Sequence, residues 1–197
     1  MSIDIGVMLR GQYPFGVDMV HMAEDLLEQA RLADSLGYDS ITKGSHYSTP
    51  DYQALQQIPL LARLTGEVKR ARLNAGIVIL PLHKPLDLAE QLATLDILCN
   101  GRLIFGVGIG YREVEFNAFG TSQKERGART TENLIAIKRL WSEDCVQMKG
   151  THFELNKAVC WPKPVQKPHP PIWIGANANI AIARAAELGD CWYINPH

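Results

Sequence analysis

The sequence has no excess of either charge and no long hydrophobic run. Among its 197 residues, 20 Lys and Arg oppose 21 Asp and Glu, which gives a formal net charge of −1. Non-specific nucleic-acid binding needs a clear basic excess. The longest apolar run, residues 75–82, is interrupted by Pro81 and is far shorter than the roughly 20 residues of a membrane span. We therefore expect neither a nucleic acid nor a membrane as a partner.

The sequence also lacks paired cysteines, paired histidines and a targeting segment. No basic stretch followed by an apolar one occurs at the N-terminus, so no signal peptide is predicted. None of the six histidines has another three or four residues away, so no metal site is predicted. The cysteines have no C-x-x-C spacing and are expected to be reduced and mostly buried, in a cytoplasmic protein; they are Cys99, Cys145, Cys160 and Cys191.

Strand-length apolar runs alternate with segments of helical periodicity along the chain. The predicted strands are Ile3–Leu9, Ser40–Lys43, Leu73–Leu80, Leu103–Val107, Ile172–Ile174 and Cys191–Ile194. The predicted helices are Asp18–Leu36, Tyr52–Thr65, Asp87–Cys99, Thr130–Trp141 and Asn179–Leu188. Such alternation predicts βαβ units and a parallel sheet. The pattern leaves two architectures open, an open doubly wound sheet and a closed (β/α)8 barrel.

Residues 144–171 interrupt this alternation. Val146–Leu155 is predicted to form a hairpin that turns at Lys149-Gly150. Trp161–Pro171 contains five prolines and is predicted to be an extended loop. We interpret residues 144–171 as an insertion.

Three alternating glycines follow the fourth predicted strand, at Gly106, Gly108 and Gly110. A dinucleotide-binding G-x-G-x-x-G would need glycine at position 111, which is Tyr111. Glycines at this spacing allow the backbone to approach a flat ligand, or they satisfy a close packing contact that admits only small residues. In the third strand, residues 74–77 are consistent with a bulge or a strained peptide. The pattern alone leaves these alternatives open.

His46 follows the second predicted strand directly. In a barrel this position lies at the carboxyl ends of the strands, where active sites are built, and histidine can exchange protons near neutral pH. The alternative is an ordinary loop histidine. Most of the charged residues after the glycines are expected to form solvated faces or local ion pairs; they are Arg112, Glu113, Glu115, Glu125, Arg126 and Arg129.

An ordered set of segments resembles the bacterial luciferase-like family of flavin-dependent monooxygenases and deazaflavin-dependent oxidoreductases. Each segment is weak evidence alone, but the set covers nearly the whole chain in the family's order. The segments are residues 73–85, 89–96, 101–110, 111–120, 126–129, 163–175 and 185–190.

The resemblance implies a TIM-type barrel that holds reduced FMN at its C-terminal mouth. A non-prolyl cis peptide that supports the flavin ring would fall at Gly76 and Ile77, and His46 would be an acid/base group beside the ring. The glycine loop, which lies against the ring and phosphate side, matches Gly108, Ile109, Gly110 and Tyr111. Backbone that helps to hold the phosphate matches Ala176, Asn177 and Ala178.

The implied reaction transfers one atom of molecular oxygen to a small organic substrate, with reduced FMN supplied by a separate flavin reductase. The alternative is hydride transfer with the deazaflavin coenzyme F-420. Some deazaflavin-dependent members place an acid directly after the glycine loop, where this sequence has Tyr111, and this difference favours FMN.

Eight βα units usually need about 250 residues, and six are predicted here. The fold expected is therefore an incomplete (β/α)8-type barrel, as a single domain over residues 1–197 that is truncated at its C-terminus. An uncovered edge strand favours association, and we expect a homodimer. Two alternatives to an enzyme remain: a shortened flavin-binding protein without turnover, and an incomplete fold whose sheet edge only drives association.

Overall fold

The structure, a computed structural model, describes residues 3–194. Its elements in chain order are β1 (Gly6–Met8), α1 (Met19–Ser35), β2 (Ser40–Lys43), α2 (Gln57–Leu64), β3 (Arg72–Ile79), α3 (Pro85–Leu98), β4 (Leu103–Gly108), α4 (Glu113–Ala118), α5 (Arg126–Ser142), β5 (Val146–Lys149), β6 (Glu154–Ala158), β7 (Ile172–Gly175), α6 (Asn179–Leu188) and β8 (Cys191–Tyr193).

Six of the strands form one sheet, in which every neighbouring pair is parallel. The order across the sheet is β1-β2-β3-β4-β7-β8, so the strands of this sheet follow one another in chain order. A doubly wound sheet reverses its strand order at a switch point, whereas a TIM-type barrel keeps chain order. The strand order therefore favours the barrel over the doubly wound sheet, the two architectures that periodicity left open. The six predicted strands are confirmed, and together they form a half-barrel.

Helices cover the outer face of the sheet and bury a continuous apolar layer. Leu88, Leu92 and Leu95 of α3 are buried, and α5 presents the fully buried Trp141, whose indole Nε1 donates to the carbonyl of Ala89 at 3.0 Å. The predicted N-cap of α1 is also present, because the Asp18 side chain accepts from the first-turn backbone. The indole hydrogen bond joins α5 to α3, and the cap closes the first turn of α1.

Several helix boundaries differ from the prediction. The helix predicted from Tyr52 begins only at Gln57, because Pro59 suits the first turn of a helix rather than its interior. Residues 52–56 are extended instead, and Gln53 pairs with Tyr13 in an antiparallel bridge. The helix predicted from Thr130 begins four residues earlier, at Arg126.

The interruption between α5 and β7 is a separate two-stranded antiparallel sheet of β5 and β6. The turn spans Gly150–Phe153, where the Gly150 amide donates to the Phe153 carbonyl at 3.0 Å, and the second strand continues to Ala158. The hairpin thus turns slightly later than predicted. None of the helices within residues 3–194 is both long and apolar enough to cross a membrane.

The expectation that the cysteines are mostly buried is correct for two of the four. Cys99 and Cys160 are buried, Cys145 is exposed and Cys191 is half-buried, and all four are free thiols. Cys145 lies in the connection between α5 and β5.

Candidate functional site

A cavity of about 710 Å³ opens at the carboxyl ends of the parallel strands. This volume is typical of sites that hold a cofactor or drug-sized ligand, about 300–1,000 Å³. Every site residue expected from the sequence lines it: His46, Gly76, Ile77, Gly108, Ile109, Gly110, Tyr111, Ala176, Asn177 and Ala178. The structure thus brings these residues together from four strands, and their individual roles stay predictions.

The floor of the cavity is formed where β3 packs against β4. The pairing register of the two strands shifts between Ala75 and Val78, as a bulge would produce, and the Gly76–Ile77 peptide is cis. A Cβ on Gly106 would lie 2.7 Å from the Gly76 Cα, and one on Gly108 would lie 2.0 Å from the Ile77 Cδ1. Close packing therefore accounts for Gly106 and Gly108. Of the three alternating glycines, Gly108 and Gly110 line the cavity and Gly106 does not.

His46 is held by a buried carboxylate. Its Nδ1 lies 3.0 Å from the Glu115 Oε1, which also accepts from the Tyr47 amide at 2.9 Å. The Glu115 side chain is 0% exposed, while that of His46 is 25% exposed. Because a carboxylate only accepts, the neutral ring carries its proton on Nδ1 and its lone pair on Nε2. The expectation that Glu115 belongs to a solvated face is wrong, since α4 turns this residue inward.

Aromatic groups surround the His46 and Glu115 pair. The Tyr47 hydroxyl lies 3.3 Å from the His83 Nε2, and the Tyr47 ring meets Phe119 edge-on at 4.7 Å. Burial raises the pKa of Tyr47, and Glu115 raises it further, while burial lowers the pKa of His83 despite the opposing effect of Asp87. Tyr47 and His83 are therefore neutral near pH 7.

The opposite end of the cavity offers groups that suit an anion. Helix α6 starts after Ala178, whose side chain cannot cap the first-turn amides. Arg126, at the start of α5, lines the same cavity and belongs to none of the ion pairs formed within residues 3–194. A helix N-terminus beside an unpaired guanidinium favours phosphate. Sequence reasoning placed Arg126 among solvated charges, because helical periodicity was not visible before Thr130.

Lys43, at the end of β2, is a second cavity residue that the sequence analysis missed. Its side chain is 2% exposed, and its Nζ donates to the Gly44 carbonyl at 2.7 Å. Burial lowers the pKa of this amine. The available signal was the residue's place at the end of a predicted strand of a parallel sheet, because such strands are usually covered on both faces and a buried lysine is unusual.

The shape and charge of the residues that line the cavity fit a flavin. The slot between His46 and Gly108 is lined mainly by glycine, alanine and aliphatic side chains, which suits a flat ring, and its far end carries Arg126 and the start of α6. The lining residues within 3–194 include no Asp or Glu that would repel a phosphate. Among the described residues, no group of three or more His, Cys, Asp or Glu side chains could hold a metal ion.

A chain-order parallel half-barrel with this cavity at the carboxyl ends of its strands defines a TIM-barrel class of ligand-binding protein. Residues 5–197 match the luciferase-like monooxygenase family, so the chain belongs to that family of oxidoreductases. This result confirms the resemblance expected from the ordered segments.

Individual relatives fall into both branches of the family. The chain is 32% identical over 155 residues to the oxygenase component of a flavin-dependent trigonelline monooxygenase from Acinetobacter baylyi, which covers 78% of this chain and 43% of that protein. It is 31% identical over 176 residues to an F420-dependent glucose-6-phosphate dehydrogenase from Amycolatopsis mediterranei, over 84% of this chain and 51% of that one.

Among solved structures, the monooxygenase RslO1 from Streptomyces bottropensis superposes with a TM-score of 0.85 at 32% identity. The match covers 93% of this chain and 56% of that structure. The chain therefore spans about half the length of the relatives it matches.

Proposed function

We propose that this chain carries the cofactor site of a flavin-dependent monooxygenase that uses reduced FMN and molecular oxygen on a small organic substrate. The observation that carries the proposal is the His46 and Glu115 pair, which faces a glycine-lined cavity with an anion-binding end. Reduced FMN, when bound, supplies the electrons that activate oxygen, one atom of which is transferred to the substrate.

The phosphate group is assigned to Arg126 and to the backbone of residues 176–178. The first-turn amides of α6 and the positive end of its dipole favour a dianion, and Arg126 adds a charge-assisted contact. The ring is assigned to the slot formed by Gly76, Ile77 and Gly108.

His46 is assigned the proton-handling role. Glu115 holds Nδ1, which leaves Nε2 directed to the cavity side, where it can take up or deliver a proton. Tyr111 meets the His46 ring edge-on at 5.9 Å and limits its rotation. The half-buried setting keeps bulk water away from the reacting groups while one face of the ring stays accessible.

Hydride transfer with F-420 is the second candidate, and the F420-dependent relative at 31% identity favours it. In the resemblance, some F-420-dependent members have an acid directly after the glycine loop. Here that position is Tyr111, which is 69% exposed and carries a phenol instead of a carboxylic acid. This difference supports FMN over F-420.

A separate reductase partner is also part of the proposal. The Acinetobacter baylyi relative is an oxygenase component, which indicates a two-component system. We expect reduced flavin to diffuse from that reductase to this chain and to exchange after each turnover, as a two-component system requires. The chain spans about half the length of the relatives it matches. That this polypeptide is active on its own is therefore part of the same proposal.

Anaerobic fluorescence titration tests the cofactor assignment. The purified chain is titrated with reduced FMN and, separately, with reduced F-420. Saturable binding of reduced FMN, at least tenfold tighter than F-420, is the expected result. Preference for F-420 would replace the monooxygenase with the hydride-transfer enzyme. Binding of neither coenzyme would overturn both, and the chain alone would then not be an enzyme.

A further inference from the structure

Lys43 is a buried cation without an anionic partner. Its side chain is 2% exposed, and its only hydrogen bond within residues 3–194 goes to a neutral carbonyl, that of Gly44. None of the ion pairs in the described residues includes it. A buried charge of this kind is costly unless it is paired, so a lysine that only served stability would be a poor choice at this position.

The cavity that Lys43 lines has charge of one sign only. Its lining within residues 3–194 includes Arg10, Lys43 and Arg126, and no Asp or Glu, although acids slightly outnumber bases in the whole chain. Glu115, the buried carboxylate of this region, is turned away from the lining and is used by His46 and the Tyr47 amide. The charge of this lining therefore favours anionic groups over cationic ones.

The three cations lie at two separate ends. Arg126 accompanies α6, which follows β7, while Arg10 and Lys43 lie at the ends of β1 and β2. Strands β2 and β7 are three positions apart in the sheet, which is about 14 Å measured along the curved sheet at the usual strand spacing. One phosphate group cannot pair with both ends, so the end at β1 and β2 has room for a second anionic group.

We propose that Lys43, assisted by Arg10, anchors an anionic group of the substrate, of the carboxylate class, at the β1–β2 end of the cavity. This inference rests on the proposed function, because it assigns the cofactor phosphate to the other end. A substrate carboxylate beside Lys43 pairs a charge that the free protein leaves unpaired, and it directs the remainder of the molecule along the cavity towards His46.

The test uses matched pairs of small acids and their neutral amides, namely benzoate with benzamide, indole-3-acetate with indole-3-acetamide, and hexanoate with hexanamide. Binding to the full chain is measured by ligand-observed NMR, both in the free protein and with saturating oxidised FMN. The variants are Lys43→Met and Lys43→Gln, and the matched control is Lys149→Met, an exposed lysine of β5 outside the cavity. Circular dichroism checks that each variant is folded.

At least one acid is expected to bind tenfold or more tightly than its amide to the wild type and to the Lys149→Met control. Both Lys43 variants are expected to lose that preference while amide binding is unchanged. The melting temperature of the Lys43→Met variant is expected to rise, because an unpaired buried charge is removed. A preference that survives in both Lys43 variants, or no preference in the wild type, overturns the proposal.

Reduced FMN separates this inference from the proposed function. Its affinity is expected to be unchanged in the Lys43 variants. A tenfold loss of affinity for reduced but not oxidised FMN would assign Lys43 to the charge of the reduced ring and overturn the substrate role. If the wild type binds no flavin, the proposed function fails; if it binds flavin but shows no acid preference, only the Lys43 inference fails.

Discussion

Glu115 fixes one nitrogen of His46 and leaves the other to the cavity. The Nδ1 to Oε1 distance is 3.0 Å, and the second carboxylate oxygen, Oε2, is buried with no hydrogen-bond partner among the described residues. Leaving an oxygen of this kind unsatisfied costs free energy. A buried carboxylate in this arrangement is better explained by its effect on the histidine than by its contribution to stability, which makes Glu115 a positioning residue.

The Glu115→Gln variant tests this role. Glutamine keeps an acceptor for the Tyr47 amide but removes the negative charge beside His46. The neutral His46 ring should therefore no longer prefer the tautomer with its proton on Nδ1. The rate of oxygen-dependent oxidation of bound reduced FMN, measured by stopped flow, is expected to fall by about 10- to 100-fold, part of the contribution usual for acid/base groups. The pH profile should change shape, and the His46 15N shifts should show a changed tautomer.

The matched control for that variant is Glu113→Gln, an exposed acid of the same helix. It should leave the rate, the pH profile and the 15N shifts unchanged, and neither variant should change FMN affinity. An unaltered pH profile and tautomer in Glu115→Gln, with a lowered rate, would mean that Glu115 acts only through packing.

Arg126→Gln tests the phosphate end. Losing a hydrogen bond between charged groups costs about 1.5–3 kcal/mol, so FMN affinity is expected to fall by about 10- to 100-fold. Riboflavin, which lacks the phosphate, should bind the variant and the wild type equally. The control is Arg63→Gln, an exposed arginine of α2 that pairs with Glu67. Equal losses for FMN and riboflavin would assign Arg126 to the fold instead of the phosphate.

Local periodicity predicted the six strands of the sheet but not their arrangement. Each strand and helix has its own apolar pattern, so the order of elements follows from the sequence. Whether the sheet keeps chain order depends on contacts between distant segments, such as β4 with β7, and no local pattern contains these. Family resemblance supplied the barrel, and the strand order confirmed it.

The site shows a similar limit for individual charged residues. Glu113 and Glu115 lie two residues apart, so α4 places them on different faces, and the sequence does not say which face meets the barrel. Phe116 is buried beside Glu115, whereas Glu113 is exposed. The glycines and other small residues of the site were easier to predict. The family resemblance assigns backbone contacts to these positions, and such contacts do not depend on which face a side chain occupies.

Asp34 provides a pH-dependent contribution to stability away from the site. Partial burial raises the pKa of this carboxyl, but the backbone amides of Ala71, Lys69 and Arg70 donate to it and hold its pKa below the ordinary value. A depressed folded-state pKa stabilises the fold above the unfolded pKa, near 4, and the contribution is lost as the pH falls through the folded value.

The Asp34→Asn variant should therefore lose about 1–2 kcal/mol of unfolding free energy at pH 7, given the half-exposed setting of these bonds. The difference from wild type should shrink below about pH 4, where the wild-type carboxyl is protonated. Urea unfolding at pH 7 and at successively lower pH measures both, with the exposed Asp144→Asn as control. A difference that stays constant with pH would show that charge is not responsible.

The glycines of β4 separate packing from ligand contact. A Cβ on Gly106 would meet backbone, namely the Gly76 Cα at 2.7 Å and the Ala75 carbonyl oxygen at 2.8 Å. A Cβ on Gly108 would meet the Ile77 Cδ1, the end of a side chain that can rotate into the cavity. The two alanine variants add the same methyl group two residues apart, so each is the control for the other.

Gly106→Ala is expected to cost about 3 kcal/mol or more of unfolding free energy, at the upper end of overpacking, because backbone must move. Gly108→Ala should cost about 1 kcal/mol and should instead weaken FMN binding by tenfold or more, since Ile77 is displaced into the space assigned to the ring. Adding Ile77→Val, which removes the obstructing Cδ1, should restore binding in the Gly108→Ala background. Failure of that rescue, with stability intact, would move the ring site away from β3, because the closest contact of the added methyl group, at 2.0 Å, would then have been relieved without effect.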